Sequence, residues 1–335
     1  MNSGRRRSEH SRGGLPRTLG FPGYSDGPPV PSRRGPSNRR FTVPTTRRRA
    51  VGTLAAALAA TVAVPPAAEA AGNGTRPRPG DRVRPLRRAH AHNDYLHARP
   101  LHDALSHGFT SAEADVFLVD GELLVAHTPA ELDPARTLRS LYLDPLLDRI
   151  RANGGRVHPG YRRPVQLLID IKYDGVDCYR ELDRQLRRYH RILSRWSGGR
   201  VHPGAVTAVV SGDRAARQPM EAQRRRYAFY DGRPDDLGGP APASFMPLIS
   251  GNWNSGFTWQ GSGPFPAAER ARLHTLVDSA HEQGRRIRFW ATPDAPGPAR
   301  DAVWAELLDA GADHINTDDL AGLERFLRTR ATGAH

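Results

Sequence analysis

Between residues 86 and 329, short runs of alternating or continuously apolar positions are separated by longer runs with a helical period. The short runs are 86–92, 111–117, 122–127, 164–173, 205–212, 227–231, 245–250, 286–292 and 312–317, and each reads as a strand. Amphipathic runs at 99–107, 144–154, 176–196, 267–283, 298–310 and 318–329 read as helices. Gly108, Gly284 and Gly311 stand where a helix end favours a left-handed residue. Strands alternating with helices predict parallel pairing. This number of repeats predicts one α/β domain over 86–330, a closed (β/α)8 barrel of the TIM type. Residues 232–245 break the pattern and read as a surface loop.

The chain ahead of this domain follows other rules. Residues 1–45 are rich in Arg, Pro, Gly and Ser, a composition that cannot bury a core, and are expected to be disordered. Residues 46–70 join Thr46-Arg47-Arg48 to a mildly apolar run from Ala50 to Val64 and end on Ala68-Glu69-Ala70. That is the pattern of an export signal, of the twin-arginine type, so a secreted protein is expected. The apolar run falls short of the roughly 20 residues of a membrane span; an uncleaved amphipathic anchor is the alternative. The segment before it is long for such a signal, which points to a true start near Val43. Residues 71–85 read as a linker.

Charge changes the picture only once it is located. The formal net charge is +14, but residues 1–70 hold twelve Arg against Glu9, Asp26 and Glu69, a net of +9, which leaves +5 for the rest. With no basic helix interleaved with aromatics, nucleic-acid binding is excluded. Cys178 is the single cysteine, so no disulfide framework exists. Of the 49 Lys and Arg residues only one, Lys172, is a lysine.

Candidate chemistry sits on three strands. Glu113 and Asp115 are two apart, so they share a strand face, turned away from Ala114 and Val116. Both faces of a barrel strand are buried, and two carboxylates side by side there call for a cation or for barrel arginines between them. In "LLIDIK" Asp170 and Lys172 share a face in the same way. A third carboxylate would complete an oxygen site for one Mg²⁺ or Ca²⁺, while the ammonium suits a phosphoryl oxygen; a plain Asp170–Lys172 ion pair is the alternative. His90 and His92 share a face of the first strand and His127 ends a later one, which supplies imidazoles for acid–base work near neutral pH. Trp253, in the aromatic and glycine-rich stretch 250–265, reads either as a lip for a lipid chain or sugar or as packing of a long loop on the rim.

The stretches "HAHNDY", "GFTSAEADVFLVDGELLVAHTP", "LLIDIK", "RFWATPD" and "GADHINTDDL" resemble the PI-PLC-like phosphodiesterase superfamily. They are similar to glycerophosphodiester phosphodiesterases and the sphingomyelinase D group, nearest in pattern to the altered-inheritance-of-mitochondria-protein branch. The resemblance implies a phosphoric diester hydrolase with His90 and His127 as its catalytic histidines and Glu113, Asp115 and Asp170 as ligands of one divalent cation. It assigns Lys172 to the substrate phosphate and Trp290 to the mouth of the site, with Asn93 and Trp253 as further candidate substrate contacts. The family's His-Arg-Gly followed by Pro-Glu-Asn is replaced here by "HAHNDYLHARPL", which makes His92 a candidate to share or take over the role of His90.

The expected partner is a small phosphodiester or a phospholipid, met by a monomer in transient contact with a membrane surface. The substrate stays open among glycerophosphodiesters, lysophospholipids, sphingomyelin and inositol lipids. Two rival readings remain: a metal-dependent amidohydrolase, which would need two further histidines at later strand ends, and a non-catalytic barrel that binds lipid or sugar.

Overall fold

The computed structural model describes residues 83–332; the segments 1–45 and 46–70, and nearly all of 71–85, lie outside the described residues. In chain order the first half comprises β1 (Leu86–Ala91), α1 (His102–Ser106), β2 (Phe109–Val119), β3 (Glu122–Val125), α2 (Asp144–Ala152), β4 (Val165–Ile171), α3 (Gly175–Leu186), β5 (Arg195–Ser197) and β6 (Arg200–His202). Then follow β7 (Val206–Gly212), α4 (Arg217–Glu221), β8 (Arg225–Arg226), β9 (Ala228–Gly232), β10 (Leu248–Asn252) and α5 (Trp253–Gly256). The chain closes with α6 (Ala267–Glu282), β11 (Arg286–Trp290), α7 (Pro298–Asp309), β12 (His314–Thr317) and α8 (Leu320–Thr332).

Because β1 pairs in parallel with both β2 and β12, the eight strands β1, β2, β4, β7, β9, β10, β11 and β12 form a closed ring. This is the expected (β/α)8 barrel. Eight of the nine expected strands enter the ring. The ninth, 122–127, is β3, which folds back antiparallel on β2 through Asp120 and Gly121, both at positive φ (48° and 81°). A two-residue Asp-Gly turn of this kind matches the twist of a hairpin. Its consequence is functional, because the return strand carries His127 back beside Asp115; Ala126 N donates to Asp115 O at 3.3 Å.

The strand faces divide as the period of two requires. On β2, Ala112, Ala114 and Val116 turn toward the helices with at most 2% exposure. A buried Val or Leu of this kind stabilises the fold by about 1.5–3 kcal/mol. Glu113 and Asp115 therefore enter the lumen. Between β4 and β10 the lumen is plugged by Leu168, Val209, Phe229 and Leu248. The helix expected over 176–196 ends earlier, and its last residues enter β5, part of a small antiparallel sheet with β6 and β8. Trp196 of β5 packs on the apolar plug and closes the barrel floor, with the Arg226 guanidinium 4.6 Å from its ring centre.

Candidate active site

Strand register assembles the acids. Asp115 of β2 and Asp170 of β4 are direct partners, and Glu113 lies one lumen step deeper, opposite Leu168. Carboxylate oxygens of the three lie within 4.8 Å of one another. Each carboxylate has one oxygen on a fixed cation. Arg288 Nη1 donates to Glu113 Oε2 at 3.0 Å, and Lys172 Nζ lies 2.7 Å from Asp115 Oδ2 and 2.6 Å from Asp170 Oδ2. The second oxygens, Glu113 Oε1, Asp115 Oδ1 and Asp170 Oδ1, find no hydrogen-bond partner among the described residues, and Asp115 Oδ1 is buried. The ion-pair reading thus holds for one side of the cluster, where an arginine and a lysine bind, and the three acids could hold a metal ion on the other.

The donor set fits a hard divalent cation. A buried acceptor without a partner is costly, and three carboxylates that each offer an oxygen within 4.8 Å of the others are the ligand chemistry of Mg²⁺ or Ca²⁺. Three carboxylates against two fixed cations also leave one negative charge. Burial and the neighbouring acids Glu113 and Asp115 raise the Asp170 pKa against the opposing pull of Lys172, as expected for like charges drawn together. Burial would raise Glu113 too, but the charge of Arg288 and the His90 hydrogen bond outweigh it and hold that carboxyl far below its ordinary range. Burial would lower Lys172, yet Asp170 and Asp115 keep it charged.

The three histidines fall at different depths. His90 has no exposed surface; its Nδ1 lies 2.6 Å from Ser111 Oγ, and its Nε2 3.0 Å from Glu113 Oε2 and 2.9 Å from Arg288 Nη1. Burial pushes its pKa down to about 4, so the ring is a neutral support beneath the acids. The reading of His90 as the proton-transfer group is therefore corrected: covered on every side, it cannot reach a substrate. His92, one lumen step higher, stands in its place at the mouth. Its Nδ1 lies 2.8 Å from Asp318 Oδ1, and burial is outweighed by that bond, so its pKa is raised. His127 Nδ1 lies 3.0 Å from Asp115 Oδ2, and its side chain is 54% exposed. Both mouth imidazoles are thus anchored through Nδ1, and neither Nε2 has a partner among the described residues.

Asp318 is itself fixed. Its backbone N–H and the Thr317 hydroxyl donate to the Asp294 carboxylate at 2.7 and 2.6 Å, so the loop after β11 sets the end of β12. Asn93, at φ 46°, donates to Asp318 at 3.3 Å and lies 3.0 Å from His92 Nδ1. It supports His92 at the mouth. Trp290, half-buried, pairs with Asn252 at the upper ends of β11 and β10. Trp253 is corrected: it has 0% exposure, stacks on Phe257 at 4.1 Å between ring centres, and donates from Nε1 to Trp259 O at 2.8 Å. Its alternative reading, packing of the loop on the rim, describes what it does. The amidohydrolase site does not assemble, because His314 enters β12 deep in the lumen, where its Nε2 lies 3.0 Å from Arg286 Nη1. Sequence reasoning missed Arg288, which crosses the lumen from Ser250 Oγ (2.7 Å) to Glu113, and Tyr95, whose hydroxyl lies 2.6 Å from Asp115 Oδ2. The only signal for Arg288 was its place two residues before Trp290 on the same strand face.

Residues 81–231, which contain the two mouth histidines, all three acids and Lys172, match the AIM6-like phosphodiesterase domain. Residues 286–321, which contain Arg288, Trp290 and Asp318, match the glycerophosphoryl diester phosphodiesterase family. The chain is 28% identical over 258 residues to the altered inheritance of mitochondria protein 6 homolog of Arthroderma benhamiae, covering 69% of this chain and 81% of that protein. It is 29% identical over 274 residues to altered inheritance of mitochondria protein 6 of Eremothecium gossypii, covering 72% and 69%. The names of these relatives state no activity. The barrel thus resembles the AIM6-like phosphodiesterase domain over its first part and the glycerophosphoryl diester phosphodiesterase family near its end.

Proposed function

We propose that this barrel cleaves a phosphodiester by acid–base catalysis with His92 and His127, on a cation site formed by Glu113, Asp115 and Asp170. The observation that carries the reading is the pairing of three unpartnered carboxylate oxygens with two mouth imidazoles that each keep Nε2 free. A divalent cation bound there would offset charge developing on a non-bridging phosphate oxygen. Lys172, fixed between Asp115 and Asp170, adds a second positive charge for the same phosphate.

The two histidines divide the proton work by their partners. Asp318 favours the protonated form of His92, which makes that ring the donor to the leaving alkoxide. His127 shares its partner oxygen, Asp115 Oδ2, with Lys172 and Tyr95, so that oxygen's charge is already spread over other donors. This suits His127 to take the proton of the attacking hydroxyl or water. The half-buried Trp290 offers a face to the leaving group.

The test is hydrolysis of bis(p-nitrophenyl) phosphate and a panel of glycerophosphodiesters by the full chain, with Mg²⁺, Ca²⁺ or EDTA. Turnover should need the metal and fall by roughly 10²–10⁴-fold in His92→Ala and in His127→Ala. Turnover that survives EDTA, or that survives loss of His92, sinks the assignment.

A further inference from the structure

Tyr95 is a buried residue to which neither the resemblance nor the proposed chemistry gives a role. It follows Asn93 in a single 3-10 turn, Asp94–Leu96, at the upper end of β1, and its side chain is 2% exposed. Three polar groups face its hydroxyl: Asp115 Oδ2 at 2.6 Å, Asn93 Oδ1 at 2.8 Å and His127 Nδ1 at 3.1 Å. A phenol has one proton to donate and an oxygen that can accept. Asp115 and Asn93 compete for the proton, which leaves the phenol oxygen to accept from His127 Nδ1–H.

We propose that Tyr95 is a positioning residue for His127, holding its imidazole in the tautomer that carries the proton on Nδ1 and leaves Nε2 open to the substrate. The inference rests on the acid–base role given above to His127. Asp115 Oδ2 makes the same demand of Nδ1 from 3.0 Å, but that oxygen also receives Lys172 and Tyr95, and His127 itself lies on an exposed loop. One hydrogen bond to an acceptor shared with two other donors leaves the ring free to swing about its χ angles. A second contact from a buried, rigid phenol removes that freedom.

The phenol does more than anchor one ring. Through Asn93 it reaches the group that holds the other: Asn93 donates to both oxygens of Asp318 at 3.3 Å, and Asp318 Oδ1 lies 2.8 Å from His92 Nδ1. The order His127, Tyr95, Asn93, Asp318, His92 is a continuous series of polar contacts at hydrogen-bond distance. It sets the two imidazoles relative to each other with no bound ligand. Its Asn93 and Tyr95 links come from "HNDY", so the turn that ends β1 places both histidines.

Tyr95→Phe in the full chain keeps the ring and removes only the hydroxyl. With bis(p-nitrophenyl) phosphate, kcat should fall by about 10–100-fold, the usual effect of removing a group that orients a site's ligands, while KM stays within about twofold. ¹⁵N shifts of His127 should show Nδ1–H in the wild type and a mixture of tautomers in the variant. A kcat within about twofold of wild type overturns the proposal. So does a loss of kcat with an unchanged His127 tautomer, or one that only follows the folded fraction in a thermal melt. If Tyr95→Phe does not fold, the wild-type shifts decide alone: a proton on Nε2 refutes the inference. Those shifts need no turnover, so a protein that cleaves no phosphodiester would remove the proposed function and still leave the positioning of His127 to be judged.

Discussion

Arg288→Met tests the centre of the site directly. The guanidinium and the Glu113 carboxylate are 5% and 7% exposed and 3.0 Å apart. At that separation and an effective dielectric of about 20, their gross attraction is roughly 5–6 kcal/mol. Desolvation of both ions offsets much of it, so the pair itself adds little. Methionine leaves Glu113 buried without its counter-charge, however, and that loss should destabilise the fold by about 3–5 kcal/mol at neutral pH.

The pH dependence gives the reasoning its sign. In the wild type Glu113 is depressed, so its contribution to stability is present above the ordinary carboxylate range and is lost as pH falls toward the folded value. In the variant the Arg288 charge is gone, and burial and the neighbouring acids act on the carboxyl against the histidines alone. It is then raised, and the variant gains relative stability as it takes up a proton. Urea unfolding with EDTA, followed by tryptophan fluorescence, should show the full gap at about pH 7 and a much smaller one at about pH 5. Adding Glu113→Gln to Arg288→Met should recover most of the loss. A gap below about 1 kcal/mol at neutral pH, or one that widens on acidification, would mean that the two groups are not a desolvated pair.

Other consequences follow from single side chains. Trp253→Ala should destabilise the fold by about 3–5 kcal/mol and leave KM of the folded protein unchanged, as kinetics at low temperature would check; a raised KM at full stability would restore its reading as a substrate contact. Asp94, buried and held by Leu101 N and Tyr142 OH, is pushed up to about 6 from 3.8, chiefly by burial. Its contribution to stability is therefore fully present below the lower value and lost as pH rises through the higher. The stability of the wild type minus that of Asp94→Asn should accordingly drop by roughly 3 kcal/mol across that window, measured by paired denaturation curves. Gly212 sits at φ 79°, and a Cβ there would lie 2.2 Å from Ile171 O and 2.6 Å from Asp170 Oδ1. Gly212→Ala should lower Tm and weaken Mg²⁺ or Ca²⁺ binding together by calorimetry; a change in Tm alone would place Asp170 outside the cation site.

The barrel was legible because short apolar runs alternate with helical ones, and the period of two along each strand placed Glu113, Asp115 and Asp170 in one lumen. Depth was not legible. His90 and His92 share a face, and the pattern cannot say which lies beneath the acids; that depends on where β1 pairs with β2, with Ala91 opposite Ala112. The run 122–127 read as a strand with no sign that it returns antiparallel through Asp120-Gly121, since a short apolar run looks alike in parallel and antiparallel pairing. Arg288 was hidden by composition, because in a chain with 49 basic residues one arginine on a strand carries no signal. Trp253 was open to either reading, since an aromatic among glycines fits a packed loop as well as a binding lip.

What composition hid is also what allows this lumen to fold. Two guanidiniums, Arg286 and Arg288, point inward from one strand, and only Arg288 meets a carboxylate there. Each is faced by a histidine: Arg288 Nη1 by His90 Nε2 at 2.9 Å and Arg286 Nη1 by His314 Nε2 at 3.0 Å. Burial, joined by the nearby guanidiniums, drives both imidazoles neutral, His314 well below its ordinary value. A neutral ring adds no charge beside a guanidinium where a protonated one would repel it; His314 Nε2 can accept from Arg286, while His90 Nε2–H is kept for Glu113. Had they been carboxylates, the positive floor would be cancelled and the acids above it would face each other unopposed. Because both rings are neutral, Arg288 keeps its charge for Glu113. The second histidine of "HAH" is thus available for chemistry because the first holds up the floor on which the acids rest.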